Sequence, residues 1–374
     1  MALKRINIAQ PTFHGNERKY VLDALDSGWV SSIGPYIENF EKSFAAYHGV
    51  KHAIATHNGT IALHLALAAA GIEEGDEVIV PDLTFIATAN SVRYCQANPV
   101  LTDVSDDNWN ISPEAIRRSI SPRTKAIIPV HLYGNPAAMD EIMEIASQHS
   151  LLVIEDCAEA LGATYKGKMA GTFGDISCFS FFGNKIITTG EGGMCITNND
   201  ELAERMRILR DHGMNRKKKY WYDNLGFNYR MTNIQAALGM AQLEQLGHLI
   251  SLRDEIYSTY RETLGNHPLI RLQTTVQNRN VNWMFTIRLR GFTFETRDIV
   301  IESLKEYGID SRPVFYPISM MPFYQDVRFC KFETPNTLMI SNEGISLPTY
   351  VGLTIDEIRF IAGSLISCIQ KLST

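Results

Sequence analysis

Ile176-Ser177-Cys178-Phe179-Ser180-Phe181-Phe182-Gly183-Asn184-Lys185, with Thr189-Gly190-Glu191-Gly192-Gly193 close behind it, decides how this chain is read. Residues 176–181 and 193–197 are apolar runs of strand length, and the glycine-rich segment between them shows no helical pattern. Successive strands without an intervening helix are expected to pair antiparallel. Lys185 sits in that connection, flanked by Phe181-Phe182-Gly183 and by Ile186-Ile187. Most lysines are solvated surface groups. An amine embedded in apolar sequence instead has a reason to lose its proton.

Upstream, Leu151-Leu152-Val153-Ile154 ends in Glu155-Asp156, an apolar strand delivering a carboxylate at its C-terminal end. Further strand-like runs are 53–56, 77–80, 100–104 and 126–130, with 151–155 as the one just quoted. Helical periodicity fills 60–70, 86–95, 113–120, 139–149 and 201–212. This alternation predicts an α/β fold whose central sheet is mostly parallel and covered on both faces, with an antiparallel member at 193–197. One long helical pattern then runs from 233 to 264. A smaller C-terminal α+β region follows: a strand at 283–289, a helix at 295–307, a loop from 312 to 324 and a helix at 356–371. Two domains are expected, a large one over 1–250 and a small one over 251–374.

The chain has 374 residues, 45% hydrophobic and 20% charged, an ordinary globular balance. Its formal net charge of −6 offers no global attraction to nucleic acid or anionic membranes, and neither is expected as a partner. The six cysteines form no C-x-x-C pair, so free thiols in a reducing cytosol are expected, and no metal site. Met1-Ala2-Leu3-Lys4-Arg5 has no apolar stretch behind it. The most apolar segment, 60–71, falls short of the roughly 20 residues that span a bilayer. A soluble cytoplasmic protein is the expectation.

Ligands of an open parallel sheet gather outside the C-terminal strand ends. There the chain carries His57-Asn58-Gly59-Thr60, then Pro81-Asp82-Leu83-Thr84-Phe85, then Asp156, then Ser180 with Lys185. Each group has an ordinary reading alone: a turn with an N-cap, a core phenylalanine, a strand serine. Together they make a chemical set. Gly59 and Thr60 open a helix, where backbone N–H groups and a hydroxyl bind phosphate. Phe85 can stack on a flat ring. Asp156 is costly to bury without a cation, and a protonated pyridine nitrogen is one. Lys185 can bond to an aldehyde. These are the needs of pyridoxal 5′-phosphate. A nicotinamide enzyme would instead show G-x-G-x-x-G after the first strand.

Asn58-Gly59-Thr60, Ile154-Glu155-Asp156-Cys157-Ala158-Glu159-Ala160, Gly174-Asp175 through Lys185, Gly190-Glu191-Gly192-Gly193 and Gly226-Phe227-Asn228-Tyr229-Arg230-Met231-Thr232 carry a wider likeness. On them the chain resembles, nearly end to end, the DegT/DnrJ/EryC1/StrS sugar aminotransferases, fold type I pyridoxal phosphate enzymes. The resemblance implies Lys185 as the Schiff-base lysine and Asp156 as partner of the pyridine nitrogen. It implies Gly59, Thr60 and Ser180 around the phosphate, Phe85 on the ring and Glu159 near its hydroxyl. Asn228 would reach in from the second subunit of a homodimer with shared active sites. Glutamate would be the amino donor, leaving as 2-oxoglutarate, with pyridoxamine 5′-phosphate as the intermediate form of the cofactor. The acceptor would be a nucleotide-linked 4-keto-6-deoxy sugar.

Trp29-Val30-Ser31-Ser32, Pro129-Val130-His131-Leu132-Tyr133-Gly134 and Ser311-Arg312-Pro313 are most similar to the subgroup that converts GDP-4-keto-6-deoxymannose to GDP-perosamine, a deoxyamino sugar of lipopolysaccharide O-antigens. A UDP- or dTDP-linked keto sugar is the alternative acceptor. A pyridoxal phosphate-dependent sugar dehydratase is less favoured, because histidine is expected there in place of Lys185. Ser32, Lys217, Arg312 and Tyr316 are the candidate substrate contacts. Lys217 belongs to the basic run Arg216-Lys217-Lys218-Lys219, which reads either as a solvated loop or as a pyrophosphate contact.

Overall fold

A computed structural model describes residues 5–275, 278–326 and 328–372; residues 1–4 of the N-terminal stretch read above lie outside that set. In chain order the first strands are β1 (His52–Thr56), β2 (Glu77–Pro81), β3 (Asn98–Thr102), β4 (Thr124–Ile127) and β5 (Leu152–Asp156). A short hairpin, β6 (Thr164–Tyr165) and β7 (Lys168–Met169), precedes β8 (Ile176–Ser180) and β9 (Gly193–Thr197). The helices of this part are α1 (Glu17–Asp26), α2 (Pro35–His48), α3 (Gly59–Ala69), α4 (Ala87–Tyr94), α5 (Pro113–Ser119), α6 (Met139–His149) and α7 (Asp200–Arg210).

Seven strands form one sheet in the order β1-β9-β8-β5-β4-β2-β3. The pairs β2–β3, β2–β4, β4–β5 and β5–β8 are parallel. β9 runs antiparallel to both β8 and β1. The expected α/β class holds, including its antiparallel strand. Val78, Ile79 and Val80 are all buried, as continuous apolar runs require when helices cover both faces of a sheet. Pro99 lies in β3, the edge strand, where a missing N–H costs no ladder bond on the open side.

The expected single helix over 233–264 is two, α8 (Asn233–Glu244) and α9 (Leu246–Leu264). Gln245, at φ −97° and ψ −2°, is a turn residue between them, and Gly247 follows in a weak first turn. The change of core falls later, within α9, whose Leu246, Leu249 and Ile250 stay in the cluster of the large sheet. α8 packs on α1 and α2, whereas Ile256, Tyr260 and Leu264 of α9 enter a separate apolar cluster beneath the second sheet. Residue 250 lies within α9.

That second sheet is antiparallel, in the order β10 (Ile270–Leu272), β12 (Phe285–Leu289), β14 (Gly344–Leu347), β13 (Arg312–Pro313). Helices α10 (Phe294–Glu306), α11 (Pro335–Glu343) and α12 (Ile355–Leu372) accompany it. A further short strand, β11 (Asn278–Arg279), pairs with β6 of the hairpin. The N-terminal segment joins this region: Ile6 N donates to Gly308 O at 2.8 Å, and Thr349 N donates to Ile8 O at 2.9 Å. No helix among the described residues is long and apolar enough to cross a membrane.

Helix α2 begins at Pro35 and ends at Gly49, whose φ of 66° suits a glycine C-cap. Its Phe44 meets Phe179 and Phe181 edge-on, at centroid distances of 5.1 and 5.6 Å. This cluster closes the sheet face beneath the Lys185 segment. Phe44→Ala is expected to cost about 3–5 kcal/mol of stability, seen as a lower midpoint in urea unfolding followed by circular dichroism.

Candidate active site

Because β8 runs parallel to β5, their C-terminal ends lie side by side, with Asp156 registered against Cys178. Antiparallel β9 starts at that same edge, so the connection from 181 to 192 never leaves it. Lys185 is thereby held beside Asp156. Gly193 pairs with Ser180 on one side and Thr56 on the other, which brings the end of β1 to the same place. A Cβ at Gly193 would stand 2.4 Å from Asn58 O, and one at Gly59 would stand 2.7 Å from Ser180 Cβ. Glycine at both positions lets α3 start against the end of β8. Asn58 caps that helix, accepting from Ile61 N at 2.9 Å. The positive end of its dipole therefore faces the cavity wall.

Successive strand residues point to opposite faces, which separates Glu155 from Asp156. Glu155 accepts from Gly171 N, Phe173 N and Gly174 N at 2.7–2.8 Å, from Ser177 Oγ at 3.2 Å and from His131 Nε2 at 3.0 Å. Burial raises the Glu155 carboxyl, but His131 and these backbone donors outweigh it and hold it below its ordinary value. His131 and Cys157 stand close enough to Glu155 to suggest a metal centre. The donors already saturating Glu155 leave the three as a structural network.

Asp156 Oδ1 accepts from Ala158 N at 3.1 Å and Oδ2 from Thr88 Oγ1 at 2.9 Å. Burial pushes its carboxyl above the usual value, with the Ala158 N–H, the Thr88 hydroxyl and Lys185 opposing. Lys185 Nζ lies 3.8 Å from Glu159 Oε1 and 3.9 Å above the Trp283 ring centroid. Its side chain is 13% exposed. Burial pulls the ammonium down, against Glu159 and Asp156. Burial raises Glu159 to about 7, opposed by Lys185 and by the Tyr133 N–H, which donates to Glu159 Oε2 at 2.7 Å. Two acids and one amine thus share a poorly solvated space. A protonated ring nitrogen against Asp156 would supply the missing positive charge.

One cavity of about 420 Å³ gathers most of the expected groups: Gly59, Thr60, Phe85, Asp156, Glu159, Ser180, Lys185 and Arg312 all line it. That volume suits a cofactor with a small substrate portion. Asn184 lines it as well, and its Oδ1 is buried without a hydrogen-bond partner among the described residues. The glycine-shaped start of α3, the unmatched Asn184 oxygen and the uneven buried charge all fit pyridoxal phosphate.

The other expected residues lie elsewhere. Ser32 and Lys217 line a second cavity of about 510 Å³, together with Arg230. Asn228 Oδ1 accepts from Arg230 Nε at 3.1 Å beside it. Tyr316 is absent from both linings; its hydroxyl accepts from buried Arg297 Nη2 at 3.0 Å. Sequence reasoning assigned no role to Tyr133, Trp283 or Phe315. Their near-parallel rings form an aromatic wall, Tyr133 lying 6.0 Å from Trp283 and 5.6 Å from Phe315. The signal available was Tyr133-Gly134 after β4: Tyr133 takes φ 56° in a tight turn that aims its ring inward.

Comparison with known proteins places the chain in one family. Residues 11–366 match the DegT/DnrJ/EryC1/StrS aminotransferase family. The chain is 51% identical to a GDP-perosamine synthase of Caulobacter vibrioides, covering 97% of this chain and 98% of that one. It is 45% identical to a GDP-perosamine synthase of Escherichia coli O157:H7, over 97% and 98% of the two chains. Among solved structures, the PLP form of Spr1654 from Streptococcus pneumoniae superposes with a TM-score of 0.94 at 26% identity, covering 99% of this chain and 100% of that one. The chain belongs to the DegT/DnrJ/EryC1/StrS aminotransferases, enzymes dependent on pyridoxal phosphate.

Proposed function

We propose that this enzyme transfers the amino group of glutamate to the keto carbon of GDP-4-keto-6-deoxymannose, giving GDP-perosamine and 2-oxoglutarate. The acceptor follows from the two GDP-perosamine synthases described above. The observation that carries transamination is the convergence of Lys185, Asp156 and the Gly59–Ser180 contact on one cavity.

Bound pyridoxal phosphate supplies an aldehyde for amine exchange and a ring that accepts an electron pair. Asp156 holds the proton at the ring nitrogen, steadied by Thr88 and Ala158. Lys185 Nζ takes the proton from the α-carbon of glutamate and later returns one to the sugar carbon. Burial lowers its basicity, the direction that favours the free amine. Gly59, Thr60 and Ser180 bind the phosphate at the start of α3. Phe85 covers the ring and Glu159 lies near its hydroxyl. Arg312, at the cavity mouth, contacts the substrate.

The working unit in this reading is a cytoplasmic homodimer. Ser32, Lys217 and Asn228 are far enough from the Lys185 cavity to lie outside its lining, yet they cluster around Arg230 on a second surface. A second copy presenting that surface completes the first cavity with Asn228 and the basic run 216–219. Tyr316, whose hydroxyl accepts from Arg297, lines neither cavity and takes no substrate contact in this reading.

Three outcomes test this. Purified protein given pyridoxal phosphate, glutamate and a panel of GDP-, UDP- and dTDP-linked 4-keto-6-deoxy sugars is expected to form a 4-amino sugar from the GDP compound foremost, read by mass spectrometry. A preference for a UDP or dTDP sugar would reassign the acceptor. Lys185→Ala is expected to lose at least about 10⁴-fold in kcat, as removal of a group that both bonds and moves a proton does; turnover retained without added amine contradicts its role. Mixing Lys185→Ala with Asn228→Ala chains is expected to restore part of the activity that each lacks alone. Mixtures no better than their parents would refute shared sites.

A further inference from the structure

We propose that the indole face of Trp283 is the seat of the Lys185 amine whenever that amine is not bonded to the cofactor, and that this face sets its protonation. The inference rests on Lys185 being the lysine that bonds to the cofactor.

Trp283 is held from several sides. Its Nε1 donates to Asn184 O at 2.7 Å, one residue from the lysine itself. Its own carbonyl accepts from Arg253 Nη1 at 2.9 Å, and Arg253 is buried. Its ring runs nearly parallel to that of Tyr133, with 12° between the planes. The indole is therefore a fixed platform, and Lys185 Nζ rests 3.9 Å over its centre. An indole face attracts an ammonium most strongly where water is scarce.

Transamination needs Lys185 bonded in one half of the cycle and free in the other. A free lysine in this cavity would be lost as a base if it swung away, and burial alone disfavours its ammonium form. The indole face answers both. It keeps Nζ in the cavity, and it stabilises the ammonium in addition to Glu159. The charged groups facing this space are Glu159 and Asp156 from the end of β5, Glu191 from the β8–β9 connection and Arg312 from β13. Tyr133, whose hydroxyl accepts from Phe315 N at 3.4 Å, faces it as well. Glu159, 3.8 Å away, is the nearest acid and must be controlled for.

The test uses cofactor-free protein and its capture of pyridoxal phosphate. Neutral Lys185 Nζ adds to the aldehyde with loss of one water, so the capture rate against pH reports the amine. Absorbance follows capture, and borohydride with peptide mapping identifies the lysine. If the indole stabilises the ammonium, its removal lowers the amine's pKa and leaves more free base at neutral pH. Trp283→Leu is then expected to shift the profile toward acid by roughly 0.5–1 pH unit and to capture faster than wild type at pH 7. Trp283→Phe should shift less, and it carries the test alone if the leucine variant does not fold. The same shift should appear in a Glu159→Gln background. An unmoved midpoint in both variants, or capture slowed equally at all pH values, would overturn the proposal, the latter marking a purely structural tryptophan. If the wild type is tagged at another lysine, the Lys185 assignment itself fails, before any variant is made.

Discussion

Parallel pairing of β5 with β8, followed at once by antiparallel β9, is the constraint on which the site depends. The pairing sets Asp156 against Cys178 and holds the Lys185 connection at the same sheet edge. A one-residue slip in β5 would exchange Asp156 for Glu155 and turn the wrong acid toward the cavity. Glu155 guards against that slip. Its carboxylate is bonded to the 171–177 segment and to His131, so β5 is tied on the face opposite the site. Glu155, which does not line the Lys185 cavity, thus fixes the strand from its other face.

Electrostatics follow from that placement. Asp156, Glu159 and Lys185 share a cavity that burial makes poor at supporting charge, and the shifts run accordingly: the acids up, the amine down. Such a set is unfavourable by itself and is relieved by a ligand that brings positive charge to Asp156. The aromatic wall of Tyr133, Trp283 and Phe315 keeps water out, while the start of α3 offers a polar end for a phosphate. The cavity is thus apolar on one side and dipolar on the other, as a flat ring carrying a phosphate demands.

Much of this was legible in the chain. The alternation of strand and helix patterns named the α/β class, and the absence of a helix before residues 193–197 named the antiparallel strand. Lys185, Asp156, Ser180, Gly59 and Thr60 could be picked out because strand ends concentrate function in such sheets. Other features left weaker traces. Helices α1 and α2 sit before the first strand, outside the alternation that organised the reading, although Pro35 and Gly49 bracket α2. The break at Gln245 carries no proline, and its apolar pattern continues on both sides.

Trp283 marks the boundary between the two kinds of knowledge. In the chain it is an aromatic residue just before β12, as fit for a core as for a site. Folding carries it across nearly a hundred positions to Lys185, a distance no periodicity records. Local pattern determined which residues form strands, which turns bear chemistry and which side chains could react, because those depend on neighbours in sequence. Only the packed molecule decided which wall the lysine meets and which surface holds Ser32, Lys217 and Asn228, because such contacts join segments through space and are set by the joint burial of distant elements.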